Sequence, residues 1–262
     1  MNPLDLSFGQ FQYFVLILVR VSAIIMTLPV LGSRNVPVMV KAGFALLTSI
    51  LVFPTVRTSG VIVPQENLTL ILAILREIGI GLLIGYLARL LFAGFQVAGQ
   101  MIGYQMGFAI VSVFDPQSSS QLSIMAYFEN LLALLLFLSL NLHHVLLRGL
   151  AESFQLIPLL GAHYPLAIMQ QLVRNTGDLF VLAVKIGAPV MAALLFTNVA
   201  MGLIARTVPQ MNIFIVSFPF QIGCGLIVLG LSLPLTVKIF EHSFVTLEQN
   251  LQHLFRMIRM GT

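Results

Sequence analysis

Six ionisable side chains stand inside apolar runs of this sequence: Arg20, Arg76, Glu77, Glu129, Asp178 and Lys185. A charge at mid-bilayer costs about 2.5–3.5 kcal/mol on insertion scales, so each needs a partner or a wet cavity. Arg174 and Asp178 are four apart, on one helical face where they can pair. Asp178 and Lys185 are two turns apart and meet only over the full lysine stem. Two readings follow: an ion-coupled transport path, or structural pairing between helices that do not sit wholly in lipid. The clustered acids of a proton relay are missing, which favours pairing.

Catalytic groupings are missing as well. His143 and His144 are adjacent, so on a helix they point about 100° apart and form no two-ligand face. His163, His242 and His253 stand alone near segment ends. Glu129 and Asp178 lack a carboxylate partner, Ser119 and Ser120 lack a positioned base, and no Gly-x-x-x-x-Gly-Lys loop exists to cradle a phosphate. The single cysteine, Cys224, lies between Gly223 and Gly225 in an apolar run and reads as a small buried side chain. It excludes a disulfide framework within one chain and any cysteine-based metal site. The expectation is a protein that is no enzyme and takes neither cofactor nor metal.

The elements that must hold these residues follow from composition. The chain has 262 residues, 13 Lys+Arg against 9 Asp+Glu, and only 8% charged residues, where a soluble domain carries about 25%. The hydrophobic fraction is 58%, more than a folded sphere in water can cover with polar groups. A soluble enzyme, a disordered tail and a nucleic-acid-binding module are thereby excluded. The net charge of +4 does not restore the last of these, because the basic residues lie singly along the chain. Met1 to Gln10 has no basic n-region, so no cleavable secretory signal is expected. The protein belongs in a membrane, against lipid.

About 20 apolar residues cross a bilayer core as a helix. Candidate segments are Phe11–Leu31, Val38–Val56, Leu68–Phe95, Ile124–Leu147, Gly177–Ala205 and Ile213–Val237. Pro209 and Pro219 bracket the turn between the last two, which predicts a helical hairpin there. The runs are too long and uniform for barrel strands. The fold class is therefore all-α and membrane-associated, with about six hydrophobic helical segments. Loop Lys and Arg counts favour cytoplasmic termini by a narrow margin.

Three stretches are unusual. Gly99, Gly103 and Gly107 recur every four residues, so one helix face admits another backbone, and Gln96, Gln100 and Tyr104 line the adjacent stripe. This suits tight packing on a partner subunit or on a helix of the same chain. The segment 108–121 is apolar at first, with Phe108, Ile110, Val111, Val113 and Phe114, then breaks at Asp115-Pro116 and turns polar. Irregular apolar backbone at membrane depth survives only inside protein or beside a wet cavity. That allows a re-entrant loop or pore plug as well as a surface turn. Beyond Lys238, Phe240, Phe244, Leu247, Leu251, Leu254 and Ile258 form a narrow apolar stripe. It suits a neighbouring helix or partner better than a membrane surface, because the opposite face is poor in Lys.

The runs Gly107-Phe108-Ala109 to Phe114-Asp115-Pro116 and Ala205 to Phe214, with Pro209-Gln210-Met211-Asn212-Ile213-Phe214 the most specific, resemble the FliR family. So does the continuation Ser217-Phe218-Pro219-Phe220-Gln221-Ile222-Gly223. These are R subunits of the bacterial flagellar type III export gate, related to the SctT-type and SpaR proteins of virulence secretion. The resemblance covers essentially the full length; Gln221 stands where many relatives carry Lys.

The resemblance implies a structural subunit that assembles with FliP and FliQ, and meets FlhB and FlhA, in the inner membrane at the flagellar basal body. Tilted helical hairpins would form a pseudo-helical channel for unfolded export substrates. One export-gate domain, 1–262, is then expected: a P-like region over residues 1–123, Q-like hairpins over 124–238 and an amphipathic helix over 239–262. Phe108, Ile110, Val111, Val113, Phe114, Asp115 and Pro116 would form the channel plug. Gly99, Gly103, Gly107, Gln96, Gln100, Pro209, Gln210 and Asn212 would serve subunit packing. With no nucleotide site, the driving energy comes from partners. The rival is a small ion-coupled secondary transporter lined by Glu129, Asp178 and Lys185. It is weakened because the two halves show no matching Gly/Pro-broken pair.

Overall fold

A computed structural model describes residues 3–33, 35–56, 66–108, 123–208, 210 and 212–260. The described residues form helices and connections without strands. In chain order the helices are α1 (Pro3–Thr27), α2 (Val38–Val52), α3 (Asn67–Gln105), α4 (Ile124–Ser139), α5 (His143–Leu156), α6 (Leu166–Thr207) and α7 (Ile213–Met260), with one 3-10 turn at Phe53–Thr55. Among the described residues, five helices are long and apolar enough to cross a membrane, or six if α4 and α5 are taken together as one broken span.

Three boundaries differ from the sequence expectation. The segment from Leu68 and the glycine stretch after it are one helix of 39 residues, α3. The segment Ile124–Leu147 breaks around Asn141, whose φ of 54° is left-handed, a conformation Asn tolerates better than most residues. Pro219 does not bracket a turn but lies inside α7, which also runs unbroken through Pro234 into the tail. Neighbouring helices and side chains can re-satisfy the backbone group that a proline frees in an apolar setting.

The chain divides into two compact units: residues 1–90, 141–175 and 245–262, and residues 91–140 with 176–244. In the first unit α1 and α2 form a hairpin, with Phe14 edge-on to Phe53 at 6.0 Å between ring centroids. Lys41 Nζ closes its turn by donating to the Gly32 and Ser33 carbonyls at 3.3 and 2.8 Å. Along α3, Gly81 lies against Arg20 and Ala23, and Gly85 against Thr27. These contacts advance together, so α1 and α3 run in the same direction with their backbones close. Arg89 Nε donates to the Thr27 carbonyl at 2.7 Å, placing a cation at the negative end of α1.

Arg20 and Glu77 are both 0% exposed and paired, Nε to Oε2 at 2.5 Å. Arg20 Nη1 also donates to the Ser153 and Ile157 carbonyls, each at 3.0 Å. Ser153 lies in the last turn of α5, where its carbonyl also accepts from Ile157 N at 3.0 Å, and Ile157 is the residue that follows the helix. The guanidinium lies 4.4 Å from the Phe154 ring centroid, a cation–π stack. Glu77 Oε1 accepts from Leu160 N at 3.2 Å. One ion pair thus joins α1, α3, α5 and the strap after α5. Nearby, Tyr164 donates its hydroxyl to the Arg76 carbonyl at 2.5 Å, in room left by the absent side chain of Gly79. Burial first, and the Glu77 carboxylate second, push the Tyr164 phenol up to about 12. It therefore remains a donor at any physiological pH.

Removing one partner of a buried ion pair leaves an uncompensated charge, costing about 3–5 kcal/mol. Arg20→Met or Glu77→Leu alone should lower the unfolding free energy in detergent by that amount. The double variant should lose clearly less than the sum, as measured by thermal aggregation of the tagged chain in freshly solubilised membranes. Additive losses would show that the two side chains act independently.

Candidate functional site

The second unit is built around the C-terminal half of α3. Its glycines set how closely the other helices approach. A methyl at Gly99 would lie 2.5 Å from the Met125 carbonyl oxygen and 2.6 Å from Ala126 Cα. One at Gly103 would strike Ser123 Oγ. Gly94 faces Leu182 and the Leu179 carbonyl of α6. With Gln96 Nε2 donating to Asn130 Oδ1 at 3.2 Å and Phe92 edge-on to Phe137 at 5.6 Å, α4 lies antiparallel along α3. The glycine and glutamine stripe therefore meets helices of this same chain. Gln100 is half-buried and Tyr104 exposed.

α6 and α7 form the expected antiparallel hairpin. Gln221 Nε2 donates to Asn198 Oδ1 at 2.5 Å and to Ser217 Oγ at 2.8 Å. Thr197 donates to Cys224 Sγ at 3.4 Å, so Cys224 is half-buried and hydrogen-bonded rather than enclosed. Val190, Leu194 and Leu229 of the hairpin join Ile102 and Met106 at the end of α3 and Met125 of α4 in one core, with Phe108, Ile222 and Val228 packed on it.

Of the residues singled out as a plug, Phe108 is described and half-buried on that core. Ile110, Val111, Val113, Phe114, Asp115 and Pro116 lie outside the described residues, as does Pro209. Gln210 and Asn212, between α6 and α7, are exposed. The apolar stripe of the tail is buried: Phe240 stands edge-on to Phe95 at 5.1 Å within this unit, and in the first unit Leu251 meets Gly149.

The ionisable groups do not gather into one lined site. Glu129 is 2% exposed, with Oε2 unpartnered among the described residues, whereas Asp178 and Lys185 are exposed on α6. Sequence reasoning missed the roles of Arg89, Tyr164, Gly81, Gly85 and Phe218. The glycines at 81 and 85 carried the same four-residue signal as those at 99 and 103.

Comparison with known proteins adds a family. The chain matches the family described as bacterial export proteins, family 1, over residues 11–247. It is 32% identical to the flagellar biosynthetic protein FliR of Bacillus subtilis (strain 168) over 261 residues, covering 95% of this chain and 96% of that protein. The FliR protein of Pectobacterium carotovorum subsp. carotovorum is 34% identical over 226 residues, 86% of either chain. That of Escherichia coli (strain K12) is 31% identical over 227 residues, 87% of this chain and 86% of its own.

The α3–α4 seam makes a direct test of packing. Gly99→Ala forces a methyl into backbone atoms and should destabilise by about 1–3 kcal/mol. Gly223→Ala meets nothing within 4 Å and should gain about 0.5–1 kcal/mol from helix propensity. Thermal unfolding of the two variants side by side reads the contrast; equal shifts would contradict the close approach at Gly99.

Proposed function

This chain belongs to the bacterial export proteins, family 1, and from that membership we propose that it is a channel subunit of the flagellar type III protein export gate. It assembles with FliP and FliQ in the bacterial inner membrane, at the flagellar basal body, next to FlhA and FlhB. Its role is structural: it forms and closes the path of unfolded export substrates and catalyses no reaction. The observation that carries the reading is the likeness, over nearly the whole chain, to proteins named for flagellar biosynthesis.

Helix length supports it. α3 has 39 residues and no proline, about 58 Å at 1.5 Å per residue. The hydrocarbon core is about 30 Å thick, and helix tilts rarely exceed about 40°. Tilt alone cannot bury α3, so some of its apolar length requires cover from protein. Large apolar side chains are also exposed on α2, α6 and α7, with Met39 and Leu166 both at 88%. Lipid and partner helices together supply that cover.

The closing element is the segment with Phe108, Ile110, Val111, Val113, Phe114, Asp115 and Pro116. A narrow passage lined by Phe, Ile and Val favours dewetting, which stops ions without a solid wall. A passing polypeptide restores the path by displacing those side chains. Gln210 and Asn212, exposed beside Pro209, are offered to the neighbouring subunit, with Gln100 on α3. Energy for export comes from partners.

Deleting Ile110–Gln117 should leave the complex with FliP and FliQ intact and make the membrane leaky to ions. The readout is collapse of membrane potential in cells carrying the tagged complex, checked by co-purification. Unchanged permeability in a correctly assembled complex would sink the plug.

A further inference from the structure

The turn between α1 and α2 gathers two cations on one short stretch of backbone. Arg89 of α3 donates through Nε to the Thr27 carbonyl at 2.7 Å and through Nη2 to the Met26 carbonyl at 3.4 Å. Lys41 of α2 reaches the Gly32 and Ser33 carbonyls. Gly32 is folded back on the end of α1, where a methyl would strike the Met26 and Leu28 carbonyl oxygens. The carbonyls that hold the two cations are therefore neighbours, and both charges sit on the same turn.

Neither charge is neutralised there. Among the described residues, no carboxylate stands within ion-pair distance of Arg89 or Lys41. The end of α1 supplies only about half a negative charge, against two positive ones. Hydrogen-bonding capacity is left over as well. A guanidinium has five N–H donors and an ammonium three, and each side chain uses two contacts here. The nearby acids are placed elsewhere: Glu77 is buried on Arg20, Asp5 stands at the start of α1 and Glu66 just before α3. Because α1 and α3 run in the same direction, Asp5 and Glu66 mark one end of these helices and the two cations the other.

The helices leading into the turn set its level. Gly9–Thr27 and Val38–Thr55 are each long and apolar enough to cross a bilayer, so the turn between them falls where hydrocarbon gives way to headgroups. Met26, Val38 and Met39 are exposed beside it and offer surface to acyl chains. Tyr86, exposed one turn before Arg89, is a residue type enriched at that level.

We infer that the α1–α2 turn is a binding site for the phosphate of an anionic phospholipid, held by Arg89 and Lys41. The guanidinium presents its spare N–H groups to the phosphate oxygens, and the ammonium adds a point charge. A zwitterionic headgroup carries its own cation and is held less well. The site needs only the membrane placement of α1 and α2, so its test is independent of the export reading.

The test is native mass spectrometry of the tagged full chain, extracted in mild detergent with the subunits that accompany it. The sample is titrated with phosphatidylglycerol, phosphatidylethanolamine or inorganic phosphate. Wild type should retain phosphatidylglycerol in preference to phosphatidylethanolamine, and inorganic phosphate should fail to displace it. Arg89→Gln and Lys41→Gln should each weaken that retention about fivefold, and the double variant about 25-fold, as expected for one surface cation apiece. Arg89→Lys should keep most of the preference. Arg148→Gln, which removes an exposed cation from α5, should leave it unchanged. If Arg89→Gln fails to accumulate, Lys41→Gln and Arg89→Lys are read without it. Equal retention of the two lipids by the wild type would overturn the site, and is the result expected if a partner's carboxylate covers both cations. Unchanged phosphatidylglycerol retention in the double variant, or its displacement by phosphate alone, would overturn it as well.

Discussion

Two helices approach to backbone distance only where one carries no side chain, and α3 with its cap meets that constraint repeatedly. Gly81 and Gly85 admit α1, Gly94 admits α6, Gly99 and Gly103 admit α4, and Gly107 admits the ring of Phe218 on α7. In an apolar environment the hydrophobic effect does little to bring helices together, so close van der Waals packing and interhelical hydrogen bonds must do so. The glycines supply the first and Gln96–Asn130 an example of the second. Each of the two units is organised on its own stretch of α3.

The charged residues answer a second demand of the same environment. Arg20 and Glu77 are tolerable at zero exposure because nearly every polar atom finds a partner: each other, two carbonyls at the end of α5 and one amide of the strap. Desolvating the two charges costs more than their mutual attraction returns, and it is the added hydrogen bonds that offset the difference. The hydroxyls follow the same rule. Thr48 and Ser49 of α2 each donate to the carbonyl four residues back, at 2.7 Å, so neither hydroxyl presents a free donor to lipid.

Much of this is legible in the sequence, and the limits have physical causes. Apolar run lengths locate the helices, and the four-residue glycine repeat marks the helix-packing face. The stripe from Phe240 to Ile258 is buried, as its spacing predicts. Local pattern cannot show which distant residue answers a buried charge: Arg20 and Glu77 are 57 positions apart, so the need for pairing is legible and the partners are not. Nor does it separate a proline that ends a helix from one inside it, and Pro219 is misplaced for that reason. Gly107 reads as a packing glycine from its repeat alone. Its place before an apolar residue and an irregular run also marks a helix C-terminus. His143 and His144, expected to diverge, bring their ring centroids to 4.2 Å, the first of them standing where α5 begins after the break at Asn141.

On the proposed reading, a chain whose longest apolar helices outrun a bilayer depends on neighbours to cover them. The most direct measurement is native mass spectrometry of the tagged chain in mild detergent, purified with and without FliP and FliQ. The predicted result is a stable particle that contains this chain only together with several copies of those subunits, and aggregation or loss of the chain when they are withheld. A well-behaved particle of this chain alone, indifferent to both, would contradict that dependence.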